Sequence, residues 1–180
     1  MLGTTRDDAV GEAFDKVSKY LSLGYPGGRV IEELARAGDP NRVAFPRPVI
    51  DESHYDFSFS GLKTAFVNYA KKHGIDAASK ADVLASFQEA ACEVLALKAA
   101  RAAREAGVHS VVLGGGVASN LRLRAAVTEA CRADAITVHV PSPAYCTDNG
   151  AMVAACAHFY ALKGLFSPID IKAYSRTKWS

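Results

Sequence analysis

The segment "CTDNGAMVA", residues 146–154, sets a carboxylate, Asp148, ahead of an apolar run from Ala151 to Ala155. Pro141 and Pro143 lie upstream and do not fit inside a helix, so the helix begins after them, with Asp148 at its start. A carboxylate there has two uses. It accepts hydrogen bonds from the free N–H groups of the first turn, or it holds a cation in a cleft. A second segment, "VVLGGGVASN" at 111–120, runs an apolar strand into Gly114, Gly115 and Gly116 and then into a helix. Three glycines let a ligand approach the backbone with no Cβ in the way, and the following helix adds N–H donors. A tight strand-to-helix turn explains the same residues. The dinucleotide fingerprint is excluded, because position 119 is serine, and so is the Walker loop, because no Gly-Lys-Ser/Thr follows. Asn120 carries an amide that donates and accepts, which suits a ribose or a base edge; a helix cap is the plainer role.

Three further segments carry weaker signals. "GYPGG" at 24–28 suits a sharp turn. Asp15, inside the helix before it and next to Lys16, has the solvent-facing position usual for an isolated mid-helix carboxylate. "SFSGLKT" at 58–64 groups three hydroxyls and a lysine around Gly61, and a capped helix start accounts for it. The histidines, His54, His73, His109, His139 and His158, show no HxxxH or HExxH spacing. Arg122, Arg124 and Arg132, with Lys172, Arg176 and Lys178 in the tail, could meet phosphates, but solvated faces and a loose end are the plainer reading.

The elements that must position these residues follow from periodicity. "DDAVGEAFDKVSKYL" places Val10, Ala13, Phe14, Val17 and Leu21 at helical spacing, and "VIEELARAG" restarts a helix that Gly38 closes. Residues 39–56 hold three prolines and read as irregular chain. "YDFSFSG" alternates as a short strand, and a helix follows to Gly74. Residues 80–107 give the clearest helix, with Val83, Leu84, Phe87, Ala91, Val94 and Leu95 in one stripe and Gly107 as its stop. Strand, helix, strand and helix then alternate over 108–163, which indicates an α/β layer.

With 180 residues, 49% hydrophobic and 22% charged, the chain has the composition of a soluble globular protein. A net charge of +2 argues against a dedicated nucleic-acid-binding domain, though not against a local basic patch. No apolar run is long enough for a membrane span, and the charged start argues against a signal peptide. Cys92, Cys131, Cys146 and Cys156 are scattered with no CxxC pair, as expected of reduced thiols in a cytoplasmic protein.

In this order and spacing, "DDAVGEAFDKVSKYLSLGYPGG", "FSFSGLKTA", "GGGVASNLRLR" and "CTDNGAMVA" resemble the bacterial branch of the TsaD family, tRNA threonylcarbamoyladenosine transferases. The resemblance implies an α/β fold of the actin, sugar-kinase and Hsp70 type. This chain would be the second lobe with its helical insertion, and the first lobe would be absent. Residues 1–107 would be the insertion and the start of that lobe, 108–165 its nucleotide-binding core and 166–180 a tail. The implied reaction moves L-threonylcarbamoyl from its AMP anhydride to N6 of the adenosine beside the anticodon, in tRNAs that read codons starting with A. Asp15, Gly28 and Asn120 match family positions that contact the substrate or nucleotide, and Gly114, Gly115 and Gly116 would line the adenosine pocket. Asp148 matches a metal-ligating carboxylate. The implied metal is one divalent ion, Fe2+ first, with Zn2+ or Mg2+ as alternatives. Its two histidine ligands belong to the absent lobe, so the chain alone should bind it weakly and lack full activity. Implied partners are tRNA, threonylcarbamoyl-AMP, a paralogous TsaB-type subunit and a TsaE-type ATPase. Arg29 and Gly150 depart from the usual proline and alanine without touching a proposed ligand. Two rivals stand beside this reading: another ATPase or kinase of the same superfold, which would need an Asp-x-Gly-Thr loop, and a non-catalytic nucleotide- or partner-binding module.

Overall fold

The computed structural model describes residues 1–50 and 53–170. The tail cations Lys172, Arg176 and Lys178 lie outside the described residues. The chain divides into two compact units, Met1–Cys146 and Thr147–Ser180.

The first unit is built on a helical spine. Helices α1 (Val10–Tyr20), α2 (Gly27–Ala35), α3 (Ser60–His73) and α4 (Lys80–Glu105) are followed by β1 (Ser110–Val112), α5 (Leu121–Arg132) and β2 (Thr137–His139). The two strands pair in parallel, with Val111 opposite Val138. Parallel pairing requires a crossover, and α5 supplies it, giving a strand–helix–strand unit. The fold is therefore mixed α/β, mostly helical with a small parallel sheet.

Helix α4 is buried on more than the one expected stripe: fourteen of its twenty-six residues are buried, including Ser86, Gln88 and Lys98. The reason is its central position, with α2, α3, α5 and β1 packed around it. Its first half joins an aromatic core in which Phe87 meets Phe14 and Phe66 edge-on at 5.5 and 5.3 Å between ring centroids. Its second half, from Cys92 to Ala103, packs on Leu123, Val127 and Cys131 of α5. Gly107 ends the helix as expected. It takes a left-handed φ of 64°, and Val108 N–H then reaches the Ala103 carbonyl at 3.1 Å. Lys98 donates from Nζ to the Asp56 carbonyl at 2.6 Å, which ties the irregular segment to the spine.

The strand expected in "YDFSFSG" reduces to one parallel bridge between Phe57 and Thr5. The alternation was real, because Phe59 is buried in the core, but the segment ends at once in α3.

The second unit carries α6 (Gly150–Leu162), apolar at every position but His158. No helix among the described residues is long and apolar enough to cross a membrane. The four cysteines are free; Cys92, Cys131 and Cys146 are buried and Cys156 is exposed.

Candidate functional site

Asp15 does not simply face solvent. Its Oδ1 accepts a hydrogen bond from the Gly27 N–H at 2.7 Å, so a carboxylate on α1 caps the start of α2. Lys16, its neighbour, pairs instead with Asp8 and Glu12 at 2.6 and 2.9 Å. Asp15 Oδ2 has no protein donor among the described residues and borders a cavity of about 630 Å³ lined also by Lys19, Gly24 and Tyr25.

The glycine pair opens α2 rather than forming the turn, which falls to Ser22 and Gly24 at φ values of 53° and 120°. The two glycines differ. A Cβ on Gly27 would stand 2.7 Å from both the Asp15 Cα and the Phe14 carbonyl oxygen, so α1 and α2 approach too closely for any side chain there. A Cβ on Gly28 would meet nothing within 4 Å. Gly28 faces open space at the start of a helix, where backbone N–H groups lack intrahelical acceptors.

One turn further along α2, Glu32 accepts from the Leu121 N–H at 2.7 Å. This bond seats α2 against the first turn of α5. Asn120 caps that turn: its Oδ1 accepts from Leu123 N–H at 2.9 Å, and its Nδ2 donates to Gln88 Oε1 at 2.8 Å. Asn120 is only 5% exposed and Gln88 7%. Beside them Arg122 makes a two-pronged pair with Glu89, at 2.5 and 2.6 Å. That hydrogen bonding raises the guanidinium further above its already high range. Glu32, Arg36, Gln88, Glu89 and Arg122 line a cavity of about 270 Å³.

Gly114, Gly115 and Gly116 are exposed, and Gly115 takes a left-handed φ of 84°. A 3-10 turn at Gly116–Ser119 separates them from α5, so the glycines do not run straight into that helix. The turn rests on α1, since a Cβ on Gly11 would meet Val117 at 3.2 Å. Gly114 borders an apolar cavity of about 220 Å³ with Val10, Leu95 and Val127. The first turn of α5 already spends two N–H groups, Leu121 on Glu32 and Leu123 on Asn120, which leaves little for an anion.

The expected positions are thus linked. Asp15 reaches α2, Gly28 and Glu32 share one side of α2 a turn apart, Glu32 reaches α5, and Asn120 starts α5. The cavities bordered by Asp15, Gly114 and Glu32 are distinct.

Asp148 belongs to the second unit. It does not cap α6, because Asn149 does so with Oδ1 on the Met152 N–H at 2.9 Å. Asp148 is exposed and has no hydrogen bond or ion pair among the described residues, so its carboxylate is free. No three His, Cys, Asp or Glu side chains gather to hold a metal among the described residues. A transition-metal centre takes at least three protein ligands, so the residues present do not fit one.

Glu32, Gln88, Glu89 and Asp7 were not singled out by sequence reasoning. Asp7 caps α3 from fifty-two residues away: it accepts from Phe59 N–H at 2.9 Å and from the hydroxyls of Ser58 and Ser60 at 2.5 and 2.6 Å. Burial acts to raise the Asp7 carboxyl, but the two hydroxyls and the Phe59 and Ser60 N–H groups outweigh it and hold the group far below the ordinary carboxylate range. The capped helix start expected in "SFSGLKT" is present, although its cap is remote. Arg122 and Arg124 are not solvated faces: Arg124 ties the Ala118 and Pro141 carbonyls together at 2.6 and 3.1 Å. Only the aromatic and glycine spacing around these segments hinted at such tertiary contacts.

Over residues 1–155 the chain matches the family model described as "TsaD: tRNA N6-adenosine threonylcarbamoyltransferase". That span covers most of the 180 residues and includes Asp15, Gly28, the glycine turn, Asn120 and Asp148, so the chain belongs to the TsaD family.

Proposed function

We propose that this chain supplies the nucleotide-binding part of a threonylcarbamoyl transferase acting on tRNA, with the fold of an actin-like second lobe. The donor is threonylcarbamoyl-AMP. The adenosine N6 amine attacks the carbamoyl carbon, an N–C bond forms, the C–O bond to the phosphate breaks, AMP departs and the amine gives up a proton. The work of this chain is to bind and orient the AMP half, which converts part of the entropic cost of meeting the acceptor into binding. The free Oδ2 of Asp15 and the carboxylate of Glu32 suit ribose hydroxyls, Gly28 admits close approach, and Asn120 and the glycine turn flank the base.

The observation that carries this reading is the Glu32–Leu121 bond, because it joins the α2 start, with Gly28, to the α5 start, with Asn120. Asp148 is the residue here that would meet a divalent metal, Fe2+ first. A centre at Asp148 needs ligands beyond those the described residues provide, and no step is assigned to it. tRNA, a TsaB-type subunit and a TsaE-type ATPase are the proposed partners, in the cytoplasm.

The test is calorimetric titration of the folded chain with AMP. Saturable binding that Asp15→Asn weakens supports the reading, and no binding by the wild-type chain sinks it. A second reading, a partner-binding module without turnover, draws on α6, apolar around its whole circumference. Threonylcarbamoyl transfer by the chain alone would exclude that module.

A further inference from the structure

The Asn120 amide is held at both ends. Its Oδ1 takes the Leu123 N–H at 2.9 Å, so the nitrogen must face Gln88, whose Oε1 accepts from it at 2.8 Å. The Cys92 thiol lies 3.9 Å from the same Oδ1. A helix cap needs only the oxygen, and serine or aspartate would serve equally well. The Gln88 bond adds something a cap does not require. It also places an amide on the buried face of α4, 7% exposed, where an apolar side chain would pack without desolvating polar atoms. Such a pair contributes little net stability but fixes an orientation.

We propose that Gln88 is a positioning residue for the nucleotide site, locking the Asn120 amide so that its second Nδ2–H is the one group left for a ligand. With the acceptor spent on Leu123, Asn120 offers a donor only. The ligand atom it meets is therefore an acceptor, a ring nitrogen or a ribose oxygen, and not an amine. This rests on the nucleotide reading above.

The test is a double-mutant cycle read by AMP calorimetry on the full chain, with thermal melts as the folding control. The variants are Gln88→Met, Asn120→Ser, which keeps a cap oxygen but no amide, and the pair together. Gln88→Met is expected to weaken AMP about tenfold, the equivalent of one oriented hydrogen bond. In the Asn120→Ser background the same change should have no further effect. Gln88→Glu keeps an acceptor opposite Nδ2 and should bind AMP much as the wild type does, which keeps the proposal open to test even if the methionine variant fails to fold. Wild-type affinity in Gln88→Met, equal losses in both backgrounds, or loss in Gln88→Glu as large as in Gln88→Met overturns the proposal. Failure of the wild-type chain to bind AMP overturns the nucleotide reading itself and is seen before any variant is compared.

Discussion

Asp15 Oδ1 lies 2.7 Å from the Gly27 nitrogen, so the carboxylate of one helix caps the next across the tightest backbone approach in the site. The helices meet there only because residue 27 has no side chain.

Gly27→Ala is therefore expected to destabilise the chain by about 1–3 kcal/mol, the usual cost of forcing a methyl into filled space. Gly28→Ala should leave stability unchanged or raise it by up to about 1 kcal/mol, since alanine is the better helix former and the space is open. The same Gly28→Ala should weaken AMP, because its methyl stands where the ligand approaches. Urea midpoints and AMP titration of both variants check the contrast, and equal destabilisation by the two would contradict it.

Glu32→Ala separates coupling from stability. The Glu32–Leu121 bond is exposed, so water replaces the lost acceptor and the melting midpoint should barely move. The AMP affinity should fall about tenfold or more, the equivalent of at least one hydrogen bond. A large loss of stability with affinity unchanged would make Glu32 a structural brace alone.

Asp7 gives a pH dependence with a definite sign. Its folded-state pKa is depressed, so its contribution is complete above the unfolded value of about 3.9 and is lost as pH falls toward the lower folded value. Asp7→Asn should cost about 1 kcal/mol at pH 7, as for loss of a helix cap. The gap between wild type and variant should stay constant from pH 7 to about 5 and narrow progressively below about pH 4. Urea melts across that range measure it; a gap that widens in acid would reverse the assignment.

In the second unit the cap and the free carboxylate are adjacent residues with different expected phenotypes. Asn149→Ala should lower α6 stability by about 1 kcal/mol, whereas Asp148→Ala should not. Equilibrium dialysis of the chain against Fe2+ or Zn2+ should show only weak binding at Asp148. One tightly held ion, lost in Asp148→Ala, would contradict the poor ligand set found among the described residues.

The sequence by itself determined the helices, the strand–helix–strand unit at 110–139 and the stops at Gly74 and Gly107, because these depend on local periodicity and on backbone angles that glycine alone adopts freely. It also determined the family, through four segments in fixed order. What it left open was the use of each polar group. Asp148 and Asn149 are both capping residue types, and only backbone geometry assigns the cap to Asn149. Asp7 was legible as an acid before α1, not as the cap of α3, and Asp15 as a solvent-facing acid, not as the cap of α2. Gln88 lay unmarked within a helix whose burial on several sides comes from its central packing. Hydrogen-bond partners 12 to 89 residues apart leave no periodic trace in a chain, so only the tertiary structure decided which of these side chains remain free to meet a ligand.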